Sequence, residues 1–472
     1  MVFSSTTFLL CFFPITLIVY GLIKFKTPVL RNYWLLFVSM LFFMWNQPKY
    51  WWVIGVSIVI NYFGALLVSV NKNKVLLAGT VTLNLIFLFV FKYLDFTISI
   101  WNSISPVQLA LRNIVLPIGI SFFTFQGISY VVDVYRGDVA VQKNFGKLAL
   151  YILLFPQLIA GPIVRYKDVA DEIDQRSVNL TQYIEGMKVF IIGLGKKVIL
   201  ANALAMVVDE IWSQGAGNST VAVAWLGSIA YTLQIYFDFW GYSEMAIGIG
   251  RMLGFTFPIN FNQPYTATSI TDFWRKWHIT LSQWFRDYVY IPLGGNRKHV
   301  YLNLAIVFIL TGVWHGASWN FVAWGIFHGT FILLERYIKK NRRTEEATPS
   351  GVKLCINKIY TLLVVNFGWV LFRADTLQDA AMYIRNMFGY LPKDKFIGLS
   401  LGWYLDRWTI LLLLVGIFFA TSLPKKLYEA AKKLTGETVF QYVYNGLLIV
   451  ILFISITRIV SGTYNPFIYF QF

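Results

Sequence analysis

Long stretches of this chain carry no Asp, Glu, Lys or Arg, among them nine of 16 to 34 residues at 8–23, 32–48, 50–71, 75–91, 113–132, 148–164, 301–334, 408–424 and 438–457. A helix needs about 20 apolar residues, with a lower limit near 17, to cross a hydrocarbon core. A large soluble core supplies one or two such runs, not nine. Charged residues make up only 13% of the chain against 57% hydrophobic, where soluble domains carry about 25% charged residues. The fold class that follows is an all-α polytopic membrane protein, with about 11–13 membrane helices plus re-entrant or interfacial ones.

The net charge of +17 reads, in such a protein, as basic cytoplasmic loops rather than as nucleic-acid binding. Lys24, Lys26 and Arg31 form one basic loop and Lys72 and Lys74 another, with a nearly neutral loop around Trp51 between them. The alternation places the N-terminus outside. The clusters Lys339, Lys340, Arg342, Arg343 and Lys425, Lys426, Lys432, Lys433 repeat the cytoplasmic pattern, so the tail after Arg458 falls outside. Phe8–Ile23 has neither a preceding basic residue nor a small-x-small cleavage site, and is expected to be a retained helix. Cys11 and Cys355 are far apart and are expected to be packing residues, not a disulfide or metal pair.

The chain reads as one membrane domain over 1–472. Residues 1–150 look like peripheral helices and 341–472 like C-terminal spans ending in an aromatic tail, while 151–340 concentrate polar and aromatic side chains. Within the central region, 251–301 is too polar for lipid yet dense in aromatics, and Pro258 and Pro264 interrupt any helix there. A helix is predicted to begin near Ser269 or Thr271. On it Trp274, Trp277, Leu281, Trp284 and Tyr288 would form one stripe. Irregular backbone at membrane depth is tolerated only where protein buries it or where it lines a water-filled cavity, so a cavity is expected here.

Only four histidines are present: His278, His299, His315 and His328. His315 lies in the longest uncharged run, which exceeds a single span, so a break over 316–320 is expected. An ionisable group at such depth reads as functional by default; a hydrogen-bonded core histidine is the plainer alternative. His278 borders the aromatic stripe, with Ser282 one turn on and Arg275, Lys276, Arg286, Asp272 and Asp287 around it; a solvated interfacial helix would look the same. His299 reads as a surface residue and His328 as packing. Asp238, in an otherwise uncharged stretch with Glu244, needs a partner: a base such as Arg275, or a histidine that it orients. A Gly-x-Ser-x-Gly elbow, a Walker loop and a His-Glu-x-x-His pair are absent from the sequence, and no Cys/His cluster has metal-ligand spacing.

The run Asp272-Phe273-Trp274-Arg275-Lys276-Trp277-His278-Ile279-Thr280-Leu281-Ser282, then Trp284-Phe285-Arg286-Asp287-Tyr288 and Pro292-Leu293-Gly294-Gly295-Asn296-Arg297, resembles the membrane-bound O-acyltransferase (MBOAT) family. Thr311-Gly312-Val313-Trp314-His315-Gly316 resembles its histidine motif. Tyr236-Phe237-Asp238-Phe239 and Gly241-Tyr242-Ser243 are similar to the bacterial branch that acetylates exported polysaccharides such as alginate; Trp240 stands where a small residue is expected.

The resemblance implies helices around a two-funnel cavity, with 151–340 as the catalytic core. It implies acetyl-CoA as a cytoplasmic donor substrate with no tightly bound cofactor or metal, and an exported polysaccharide (alginate, another exopolysaccharide or peptidoglycan) as acceptor. It also implies an extracytoplasmic, SGNH-hydrolase-like acetyltransferase as partner protein. His315 takes the role of general base and His278 that of a second catalytic polar group, with Asp238, Trp314, Asn320 and Ser282 in support. Arg275, Lys276 and Arg286 are candidates for the donor's phosphates. The tail Phe467-Ile468-Tyr469-Phe470 is similar to a Phe-x-Tyr-Phe motif in related teichoic-acid D-alanylation systems, which makes Tyr469 a candidate acyl relay; an aromatic membrane anchor is the plainer reading. A transporter of a polar or lipid-linked substrate, or a silent scaffold of an export machine, would share the helices but not both histidine motifs.

Overall fold

The computed structural model describes residues 1–23, 28–341, 350–390, 398–462, 464–466 and 468. Among the described residues the chain is helical, with no strand. Five helices among the described residues are long and apolar enough to cross a membrane: Pro48–Asn71, Lys74–Lys92, Leu180–Ser213, Gly351–Arg373 and Glu437–Val460. The bent pair Arg407–Ala420 and Leu423–Thr435 makes a sixth if counted as one span, and Phe8–Ile23 and Val300–His315 are shorter apolar helices. The count falls below the number of uncharged runs because polar residues are packed into several other helices. Val221–Leu253, 33 residues long, buries Gln234, Asp238 and Ser243, which lowers its hydropathy. Glu437–Val460 instead leaves Val443, Leu447, Ile449, Val450 and Phe453 more than half exposed. That apolar surface suits contact with lipid tails rather than water.

Contacts divide the chain into two compact units. The first is built from Met1–Phe190 with Tyr242–Ile259, the second from Ile191–Gly241 with Asn260–Ile468. In the first unit Trp51–Asn71 and Lys74–Lys92 form a tight helical hairpin. Lys72 turns the chain in the left-handed region (φ 42°), and the Asn73 side chain caps the next helix by accepting from the Val75 N–H. The buried amides of Asn61 and Asn84 exchange two hydrogen bonds of 3.0 and 3.1 Å across it. Such pairs hold helices together where lipid offers no hydrophobic driving force. Cys11 and Cys355 are both exposed and do not pack in a core as expected; an exposed apolar thiol costs little on a surface that meets lipid.

In the second unit Val300–His315 and Trp319–Asn341 form an antiparallel pair. The chain breaks at Gly316, where the expected break lies, and restarts at Trp319. Gly312 and Gly325 let the two backbones touch: a Cβ on Gly312 would lie 2.3 Å from the Phe321 carbonyl oxygen, and one on Gly325 2.4 Å from that of Phe308. A wide π-turn at Lys196–Ala201 precedes the Asn202–Ser213 helix. Trp240, the departure noted in the sequence, stacks on Tyr236 at 4.9 Å and carries the Lys196 ammonium 3.0 Å from its ring centroid. The larger residue thus supplies a cation–π seat.

Candidate active site

A helix does start at Ser269, whose side chain accepts from the Asp272 N–H, but it does not run on through the aromatic stripe. It ends at Lys276, and a new helix begins at Ile279. Between them Trp277 is extended and His278 adopts φ 43°, a left-handed conformation that costs a non-glycine residue roughly 1–2 kcal/mol. The segment at 260–262 offsets that cost by entering the gap: Asn262 N–H donates to the Lys276 carbonyl at 3.0 Å, and Ile279 N–H donates to the Asn260 carbonyl at 3.0 Å. Ser282 closes the break from the other side, its hydroxyl donating to the Trp274 carbonyl at 3.1 Å. It is therefore a stitch across the helix break.

His278 is fully buried, with Nδ1 3.0 Å from Asn260 Oδ1. The same oxygen accepts from the Thr280 hydroxyl at 2.9 Å. An amide oxygen only accepts, so Nδ1 carries the hydrogen and Nε2 keeps its lone pair. Nε2 has no hydrogen-bond partner among the described residues. Asn260 thus sets the tautomer, a role that its sequence context of alternating aromatics and prolines did not announce.

The Trp314 indole, itself buried, joins the two motifs. Its ring lies 6.0 Å from His278 and 4.9 Å from His315. His315, the last residue of its helix and 2% exposed, also meets Trp324 at 5.0 Å and Phe372 at 5.3 Å, both edge-on. Phe239 packs edge-on against His278 at 4.7 Å. Two imidazoles from separate segments are thereby held in one desolvated aromatic wall. His328 extends the cluster beyond what the sequence indicates, touching Trp324 at 5.1 Å and Trp274 at 5.2 Å. A Cβ on Gly368 would lie 2.4 Å from its Nε2, which marks close packing. His299 is exposed in the turn that follows Gly294 and Gly295.

The remaining candidates divide. Asn320 is buried and donates to the Ala374 carbonyl, fixing the start of its helix. Asp238 pairs with neither Arg275 nor a histidine: its partner is Lys197, 2.5 Å away, with both side chains 2% exposed. Removing one member of such a pair costs about 3–5 kcal/mol, because the other is left charged in an apolar interior. Lys276 pairs with Asp272 at 2.8 Å and Arg286 with Asp287 at 2.7 Å, while Arg275 is exposed. Two of the three cations proposed for the donor thus already hold carboxylates. Tyr469 lies outside the described residues. Among the described residues no group of His, Cys, Asp and Glu could hold a metal ion.

In the turn outside the spanning helices, burial lowers His278 from its usual 6.5 to about 3. The folded chain therefore takes up this proton less readily than the unfolded chain does. The contribution to stability is complete above about pH 6.5 and drains away as the pH falls toward 3. Purified protein in detergent should melt at a lower temperature at pH 5 than at pH 7.5. His278→Asn should reduce that difference, since asparagine tolerates the left-handed backbone and does not titrate. An equal difference in both proteins would mean that His278 does not contribute.

A family model described as the membrane-bound O-acyltransferase family matches residues 140–373. A probable alginate O-acetylase of Pseudomonas putida is 37% identical to the chain over the whole of both proteins. A peptidoglycan O-acetyltransferase of Helicobacter pylori is 35% identical, covering 82% of this chain and 80% of its own. A teichoic acid D-alanyltransferase of Bacillus subtilis is 28% identical over 55% of this chain and 69% of its own.

Proposed function

The chain belongs to the membrane-bound O-acyltransferase family, as a multi-pass acyltransferase of the bacterial inner membrane, and from that membership we propose that it passes acetyl groups from cytoplasmic acetyl-CoA across the membrane for O-acetylation of an exported polysaccharide such as alginate. The observation that supports this best is the convergence of His278 and His315 on the Trp314 ring. Full-length similarity to a probable alginate O-acetylase favours acetyl over alanyl transfer and a polysaccharide over teichoic acid.

A thioester carbonyl accepts an oxygen nucleophile, but a neutral hydroxyl attacks slowly. In this reading a hydroxyl oxygen bonds to the acetyl carbon while His315 takes its proton. The carbon–sulfur bond breaks, and the leaving thiolate is protonated as coenzyme A. A base acting in this way contributes about 10²–10⁴-fold, and imidazole is the side chain whose ordinary pKa suits that task near neutral pH. His278, with a lone pair on Nε2 and no hydrogen there, suits holding a donor N–H or an acceptor O–H better than stabilising an oxyanion. The hydroxyl assigned to the first step is the phenol of Tyr469, whose ester then hands the acetyl group to an extracytoplasmic SGNH-hydrolase-like acetyltransferase and so to the polysaccharide. Arg275 is the cation best placed to meet phosphates of the donor, the other two having carboxylate partners. The donor and acceptor enter by two opposed funnels.

Proteoliposomes supplied with acetyl-CoA on the cytoplasmic face should release coenzyme A, whereas a transporter would move its substrate without release and a scaffold would do neither. In the same assay His278→Asn keeps the backbone and a donor toward Asn260 but loses Nε2. Turnover should fall about tenfold, the worth of one hydrogen bond to the reacting partners. Unchanged turnover would remove His278 from the reaction.

A further inference from the structure

The tail beyond the last spanning helix is held by the most deeply buried charges of the second unit. Lys197 and Asp238 pair with each other, yet an ammonium has three donors and a carboxylate about four acceptor sites. One ion pair leaves most of them to be satisfied, and in an apolar interior that is costly. Two of the additional partners are main-chain groups of the tail. Lys197 Nζ donates to the Pro466 carbonyl, and Ile468 N–H donates to Asp238 Oδ2 at 3.0 Å. The two groups lie two residues apart in the chain, and a single ion pair binds both.

Side chains fix the register. Asn202 Nδ2 donates to Asn465 Oδ1 at 3.1 Å. Tyr464 donates its hydroxyl to Asp209 Oδ2 at 2.8 Å, and Asp209 is itself held by Arg373 at 2.7 Å. Asp209, Asn202 and Lys197 follow one another back along a single stretch of helix, about 18 Å from end to end at 1.5 Å per residue. The tail meets this stretch in order, Tyr464 at Asp209, Asn465 at Asn202 and Pro466 at Lys197.

We propose that the buried Lys197–Asp238 pair is a receptor for the C-terminal segment, a latch that fixes the chain at Pro466 and Ile468 and so sets the point from which the last four residues depart. The pair positions; it does not react. Its consequence for acyl relay rests on the function proposed above, but the latch itself does not.

The test uses the full chain in detergent and follows removal of C-terminal residues by carboxypeptidase Y, read by mass spectrometry. Incorporating the α-hydroxy acid analogue of isoleucine at position 468 turns that amide into an ester and deletes only the N–H that Asp238 accepts. Trimming should then proceed at least tenfold faster. The paired change Lys197→Met with Asp238→Leu, which removes both charges together, should give a similar gain. The ester added to that double variant should give no further gain, because its partner is already gone; a merely structural role for the pair would not produce this coupling. Unchanged trimming in the ester variant overturns the latch, as does full additivity of ester and double variant. Should the double variant not fold, the ester variant alone decides. Because trimming reports on the tail and not on acetyl transfer, failure of the latch and failure of the proposed reaction are distinguishable.

Discussion

His315→Ala should abolish acetyl transfer while leaving a folded protein in the membrane. The side chain ends its helix against Trp314, Trp324 and Phe372, and in the proposed reaction it is the only group that takes the nucleophile's proton. Losing a general base costs about 10²–10⁴-fold, which takes the rate to the background of most membrane assays. Alanine also leaves a cavity in a packed wall, so His315→Gln, closer in volume, separates chemistry from packing. Both variants should lose coenzyme A release, and the glutamine variant should keep its melting temperature. His299→Ala, altering an exposed turn residue, should behave as the unaltered protein. A folded His315→Gln within tenfold of full activity would take His315 out of the chemistry.

Tyr469→Phe is expected to have an effect as large, at a position that lies outside the described residues. If the acetyl group passes through a phenol ester, the aromatic ring is not enough and the hydroxyl is indispensable. Phenylalanine keeps the ring and with it most of any interfacial anchoring. Labelled acetyl-CoA should leave acetyl on the tail of the unaltered protein, recoverable in its C-terminal peptide, and none in the variant. Acetylation of the external acceptor should stop with it. A Tyr469→Phe protein that acetylates the acceptor normally would reduce the tail to an anchor.

The membrane character, the break after His315 and the helix start at Ser269 were legible in the sequence because each rests on local rules: run length, span length and side-chain capping. The break at Trp277–His278 was not legible. Periodicity carried the aromatic stripe straight through it, since the forces that open the helix come from Asn260 and Asn262, more than a turn's reach away in sequence. The partner of Asp238 was hidden for the same reason. Lys197 lies on another helix, and sequence offers no measure of distance between two helices. His278 and His315 were each visible as an ionisable group among apolar neighbours, but that one indole touches both is a fact of packing.

The π-turn at Lys196–Ala201 has a consequence for how this chain tolerates change in length. A turn of this kind carries one residue more than the α-helical ladder needs, and each residue of an α-helix turns it by about 100°. Losing any one of these six residues would let the ladder close into regular α-helix with every contact inside the helix intact. A π-turn spreads about the same rotation over that extra residue, so the face of Asn202–Ser213 would keep its phase relative to the helix before it, and Asn202 and Asp209 would stay on the line that meets Asn465 and Tyr464. A deletion within the regular α-helix beyond it would instead re-phase every later residue by about 100°, so this turn is where the element can shed a residue and keep its faces aligned.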